Sequence, residues 1–254
     1  MTLDLFGASE ITACAALVIM TYTTLFGRTL RERIVIASGF VLWFVLVESA
    51  AATGALGNYG LGTAGLGITF LLPLLGLTSL AYSPIGRARI ESAPFLPVVA
   101  IQATRVLGVT FVLLYAAHRL PAPFAPVAGW GDIIAGVAAL PLAWWLSRDP
   151  RGARGAFLAV SIFGILDLVA AISLGATSAP GPIRLFFDGG SGTAIMSTFP
   201  WMGIPCFLVP SLLFMEFIGL SKARHTDAAV PDQLSKGRSP MGRSSSSHGM
   251  ERPV

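Results

Sequence analysis

Only a few side chains in this 254-residue sequence carry charge or strong hydrogen-bonding groups in the middle of apolar runs: Glu48, Gln102, Arg105, Asp132, Asp167 and Glu216. An ionisable group at such a depth costs about 3 kcal/mol or more when it faces lipid, so each is a functional candidate. Gln102, Arg105 and Gly108 recur every third residue and share one face of a helix. Ser161, Gly164 and Asp167 repeat the pattern, and Asp132 with Gly136 makes a third small, polar stripe. Small residues on such faces let helices approach closely. The spacing therefore predicts a buried cluster in which Arg105 is neutralised by Asp167 or Glu48, with Gln102 and Asp132 completing the hydrogen bonds. Three carboxylates against one arginine leave spare negative charge, which a proton, a cation or an amine-bearing ligand would meet. The same cluster without a ligand would act as a lock on helix register. Taken alone, Asp132 and Glu10 read as interfacial, and Glu216 reads as a snorkelling or tail-pairing residue at the cytoplasmic end.

Other chemistries lack their residues. Lys222 and Lys236 are the only lysines and both fall near the C-terminus, so no retinal Schiff base forms inside a helix. His118, His225 and His248 are too scattered for paired haem ligation or a metal cluster. There is no H-E-x-x-H, G-x-S-x-G or P-loop motif. Cys14 and Cys206 sit in apolar runs and read as packing residues. No catalytic residue, cofactor or metal is expected, and an intramembrane enzyme acting on lipid is the least supported reading. The Pro-Gln signatures of small seven-helix sugar carriers are missing as well.

The elements that must position these residues follow from composition. The chain is 54% hydrophobic and 12% charged, with a mean hydropathy of +0.74, whereas a soluble domain carries about 25% charge. Seven runs approach the 20 or so apolar residues a bilayer requires: Ala8–Phe26, Arg33–Leu56, Gly60–Tyr82, Leu96–His118, Val127–Ser147, Gly155–Thr177 and Ile195–Leu220. The expected fold is all-α, a polytopic bundle of seven transmembrane helices over residues 1–220, followed by a disordered basic tail over residues 221–254. Arg28, Arg31, Arg33, Arg87, Arg89, Arg148, Arg151, Arg154 and the tail cations crowd the odd connections and the C-terminus, which puts the N-terminus outside and the tail in the cytoplasm. Tyr22, Tyr82, Trp144 and Trp145 mark inner interfaces, and Tyr59, Tyr115, Trp130 and Trp201 outer ones, with Trp43 alone in mid-span. The first run lacks a basic n-region and reads as a retained span.

Counting about 1.5 Å per residue from the inner ends places Arg105 near 14 Å, Asp167 near 18 Å and Glu48 near 21 Å, within reach of long side chains. Pro200, Pro205 and Pro210 should kink or break the last helix, as in transporter binding sites. The sixth connection, Ser178–Ala194, carries Leu185, Phe186 and Phe187 between two turns, and would fold back as a lid or dip into the interface.

The run Gln102-x-x-Arg105-x-x-Gly108, followed by Gly129-Trp130-Gly131-Asp132-Ile133 and Gly164-Ile165-x-Asp167, resembles a group of uncharacterised bacterial seven-helix membrane proteins over Leu96–Leu220. That resemblance implies a bacterial cytoplasmic (inner) membrane location and brings no activity with it. The functional expectation is a permease or sensor that binds a small polar or charged molecule at Arg105, Gln102, Glu48, Asp167 and Asp132. The alternative is a structural or assembly subunit with no ligand of its own. Expected partners are the lipid bilayer, the small ligand, and a membrane protein or a second copy. Nucleic acid is not among them, since the net charge of +4 comes from the loops and tail.

Overall fold

A computed structural model describes residues 2–55, 62–181, 183–186 and 191–228. Among these residues the chain is all-helical and contains no strand. The helices are α1 (Thr2–Phe26), α2 (Leu30–Thr53), α3 (Gly62–Tyr82), α4 (Pro84–Ser92), α5 (Phe95–Ala116), α6 (Phe124–Arg148), α7 (Arg154–Ser178) and α8, which opens as a π-helical turn over Ile204–Leu208 and continues as α-helix over Val209–Ala228. Six of them, α1, α2, α5, α6, α7 and α8, are each long and apolar enough to cross a membrane. The expected third span, α3, turns by 86° into α4, and the two count together as the seventh candidate span. The architecture is that of a multi-pass membrane protein with six or seven spans.

The connection bearing Arg87 and Arg89 is itself a short helix. Ser83 caps its start by accepting from the Gly86 amide, and Pro84 occupies the first turn, where its missing N–H is not needed. Arg89 pairs with Glu32 at 2.7 Å, and Lys222 Nζ donates to the Ile90 and Glu91 carbonyls at 2.9 and 3.0 Å, closing the helix C-terminus with a cation. Glu32 also completes a capping box with Thr29 that starts α2. These contacts gather the first and third connections and the late part of α8 at one end of the bundle.

The core surrounds α8, in which 78% of the apolar stretch is buried against 11% in α2. The reason for its late start is local. The expected span began at Ile195, but Ala194–Ser197 forms a 3-10 turn, Pro200 precedes the helix, and Pro205 lies inside the π turn. Pro210 has no N–H to offer the Cys206 carbonyl four residues back, and Trp43 Nε1 donates to that carbonyl at 3.0 Å. The lone mid-span tryptophan thus repairs a proline defect in a neighbouring helix. Tyr22 and Trp201 likewise leave their expected interfacial roles. Both are buried; Tyr22 donates to the Ser211 carbonyl at 2.7 Å, and Trp201 Nε1 donates to Asp4 at 3.2 Å.

At the other end of α8 the helix runs to Ala228, past the Leu220 boundary read from composition. The rest of the expected tail, with Lys236, Arg238, Arg243 and Arg252, lies outside the described residues, as do Tyr59 and Phe187. Leu185 of the sixth connection is exposed, and its amide donates to the Thr177 carbonyl at the end of α7.

Candidate functional site

The middle of α5, Ile101–Leu107, is wound as a 3-10 helix. With three residues per turn, side chains at i and i+3 eclipse, so Gln102, Arg105 and Gly108 stand in one line. The same winding lines up Ile101, Thr104 and Leu107, all buried, and Cys14 on α1 reaches the Thr104 carbonyl. Glycines bring α6 against the polar line. A Cβ at Gly136 would stand 2.6 Å from the Val106 nitrogen, and one at Gly129 would stand 3.0 Å from the Gly108 carbonyl oxygen.

This close approach delivers Asp132 to Arg105. The guanidinium is 1% exposed and spends its donors on two neighbouring helices. Nε donates to Asp132 Oδ1 on α6 at 2.7 Å. Nη2 donates to Asp167 Oδ2 on α7 at 2.5 Å, and Nη1 donates to the Gly164 carbonyl at 3.1 Å. Two glycines clear the space. A Cβ at Gly131 would overlap the Asp167 carboxyl, and one at Gly164 would lie 2.8 Å from both Arg105 Nη1 and Glu216 Oε1.

The last contact shows what the sequence reading missed. Glu216 is buried in the bundle against the Arg105 site, with Ser161 beside it, not snorkelling at a helix end. The expectation rested on a helix ending at Leu220; because α8 continues to Ala228, Glu216 stands twelve residues from its end, about 18 Å along the axis. Asp132 is also buried and paired, not interfacial. Arg105 therefore faces three carboxyl groups, as anticipated in number but not in identity, since Glu216 takes the place assigned to Glu48.

Glu48 is elsewhere. Its carboxyl lies on the α2 side of α8 against the Gly203 backbone, and neither oxygen meets a side-chain donor or a cation among the described residues. Gln102 also departs from its expected role. Its Nε2 donates to the Leu212 carbonyl at 3.0 Å, its Oε1 has no partner, and it lines a cavity of about 10 Å³ with Ser161, Glu216, Phe157 and Met215. A polar cavity of that size holds about one water molecule.

A second polar group occupies the opposite end of the bundle from α4. Arg119 pairs with Asp4 at 2.7 Å, and the Thr110 hydroxyl donates to Glu10. Glu10 is thus anchored to α5. Both cysteines are buried free thiols, with Cys206 Sγ 3.0 Å from Thr69 Oγ1. No group of three or more His, Cys, Asp and Glu placed to hold a metal ion occurs among the described residues.

The family described as "Domain of unknown function (DUF8737)" matches residues 63–224. The chain belongs to this family. The DUF8737 region runs from α3 into α8 and contains Gln102, Arg105, Asp132, Asp167 and Glu216, the whole of the arginine centre. Helices α1 and α2, with Glu48, precede it. No curated protein and no solved structure matches the chain.

Proposed function

We propose that this protein binds a small, positively charged or proton-donating species at the Arg105 centre, as a permease or sensor of the bacterial inner membrane. The observation that carries the reading is the surplus of acid. Asp132, Asp167 and Glu216 converge on one guanidinium whose bonds go to two of them and to a backbone carbonyl. A register lock needs one acid per arginine. The third carboxyl and the unpartnered Gln102 Oε1 share a small cavity, and both call for a donor or a positive charge.

The cavity holds about one water as it stands, so a larger ligand enters only when its walls on α5, α6, α7 and α8 separate. The 3-10 stretch of α5 and the π turn of α8 lie in two of those helices, and irregular turns of this kind are common at hinges and functional sites. The distribution of Lys and Arg supports an outside N-terminus and a cytoplasmic C-terminus. So does the gathering of Arg28, Arg89 and Lys222 around α4.

The test is native mass spectrometry of the purified wild-type protein and of Glu216→Gln, which preserves shape while removing the acid. A small cationic mass carried by the wild type and lost from Glu216→Gln supports the reading. Its absence, with Glu216→Gln as stable as wild type, defeats it.

A second reading, a structural or assembly subunit, is favoured by one specific observation: all three Arg105 hydrogen bonds end on protein, and the guanidinium is sealed from solvent. It expects that replacing Arg105, Asp132 and Asp167 together by apolar residues of similar volume keeps or raises thermal stability and leaves every cellular phenotype intact.

A further inference from the structure

A separate groove of about 310 Å³ runs between α1, α2 and the Phe199–Pro200 segment, walled by Ala8, Ile11, Thr12, Phe44, Ala52 and Pro200, with Glu48 among its lining residues. Glu48 stands eighteen residues beyond Leu30, about 27 Å along α2, in the half of the span that ends at Thr53. Both carboxyl oxygens are shielded and meet no cation or side-chain donor among the described residues, and the carboxyl is fitted so closely against the Gly203 backbone that any Cβ there would overlap Oε1. The space is reserved for an acid, yet the surrounding protein leaves that acid without a counter-charge. An unpaired carboxyl in an apolar setting is costly, and it is the charge a ligand would have to complement.

We propose that this groove binds a membrane-dissolved amine: an ammonium group carried on a hydrocarbon body, with the ammonium on Glu48 and the hydrocarbon along Ile11 and Phe44. The chemistry selects this class. A bare metal ion needs about six oxygen ligands, whereas among the described residues Thr12 and Ser49 are the only other polar side chains on these walls. A purely apolar molecule would fill the groove and leave the acid unanswered. The volume lies at the lower end of small-molecule pockets, about 300 to 1,000 Å³. The site shares no residue with the Arg105 centre, so either assignment can fail without the other.

The experiment uses the full chain in phosphatidylcholine vesicles and follows labelling of Glu48 by dicyclohexylcarbodiimide, read by peptide mass spectrometry. The probe is N,N-dimethyldodecylamine, a tertiary amine that cannot form an amide with the activated acid, and dodecanol is its uncharged control. The amine is expected to slow labelling about tenfold, equivalent to ~1.4 kcal/mol of occupancy, with dodecanol giving little protection. Ala8→Phe, which fills the groove from the α1 wall, should abolish the protection by the amine. Equal protection by amine and alcohol, or none by either, overturns the proposal. Protection by phosphatidylethanolamine vesicles without added amine overturns the choice of a free amine over a lipid head group. Because labelling reads the wild-type acid directly, a poorly folding Glu48→Gln would leave the test intact.

Discussion

The Arg105 centre, which is buried, and Glu48, which is half-buried, are two acidic sites in one bundle, and they differ in every respect that decides cost. At Arg105, carboxyl groups from α6 and α7 meet a guanidinium at hydrogen-bond distance, and a backbone carbonyl takes a further donor. At Glu48, two shielded oxygens face the Gly203 backbone and meet no cation or side-chain donor among the described residues. Glycine explains the difference. Gly129, Gly131, Gly136 and Gly164 remove the side chains that would hold α5, α6 and α7 apart, so opposite charges can touch. Gly203 makes room for the Glu48 carboxyl and supplies no charge. Close packing creates partners only where both faces carry them.

The largest effect that would break this contrast is the loss of Arg105. Arg105→Ala leaves Asp132 and Asp167 buried without a cation and should cost about 3 to 5 kcal/mol, seen as a large fall in the thermal midpoint in detergent. Should the midpoint hold, the centre is not the closed ion pair described above. Next comes Gly131→Val, which drives a side chain into the Asp167 carboxyl. It should cost about 1 to 3 kcal/mol, and an added Asp167→Ala, which vacates the space, should recover part of that loss. A smaller loss, about 1 to 2 kcal/mol, is expected for Trp43→Phe, because the Cys206 carbonyl then faces Pro210 without a donor. Hydrogen exchange should rise around the π turn of α8. The smallest change sharpens the contrast most. Glu48→Met replaces an acid without a counter-charge with an apolar chain of similar length and should leave stability within about 1 kcal/mol of wild type, or raise it. A loss as large as that of Arg105→Ala would show that Glu48 has a charged partner after all.

Much of this fold was legible from residue order because membrane helices announce themselves by composition. Six of the seven expected spans are long apolar helices near the expected positions. The third, α3, turns by 86° into α4 at its end, because Ser83 and Pro84 start a new helix there. The stripe Gln102, Arg105, Gly108 was legible because spacing of three marks a face in an α-helix and a straight line in a 3-10 helix. The partner of that stripe was less legible. Asp132 and Asp167 each stood on a small, polar face. Glu216 had its clue hidden in where α8 ends, and helix ends in a charged region are poorly marked. Tyr22 and Trp201 were misread because aromatic rings near the ends of apolar runs suit an interface and a core equally well.

By itself the sequence determined that the chain is an all-helical membrane protein, which stretches become helices, and that one arginine and several acids lie within the apolar spans, on small, polar faces in the case of Arg105, Asp132 and Asp167. Those properties follow from local composition and periodicity, which no neighbour can override where water is absent. Only the tertiary structure decided which acids meet the arginine. It paired Arg105 with Asp132 and Asp167, brought Glu216 beside them, and left Glu48 alone in a groove on the other side of α8. The physical reason is that a span specifies depth and face, while its neighbours depend on which surfaces interlock once all the helices compete for one another.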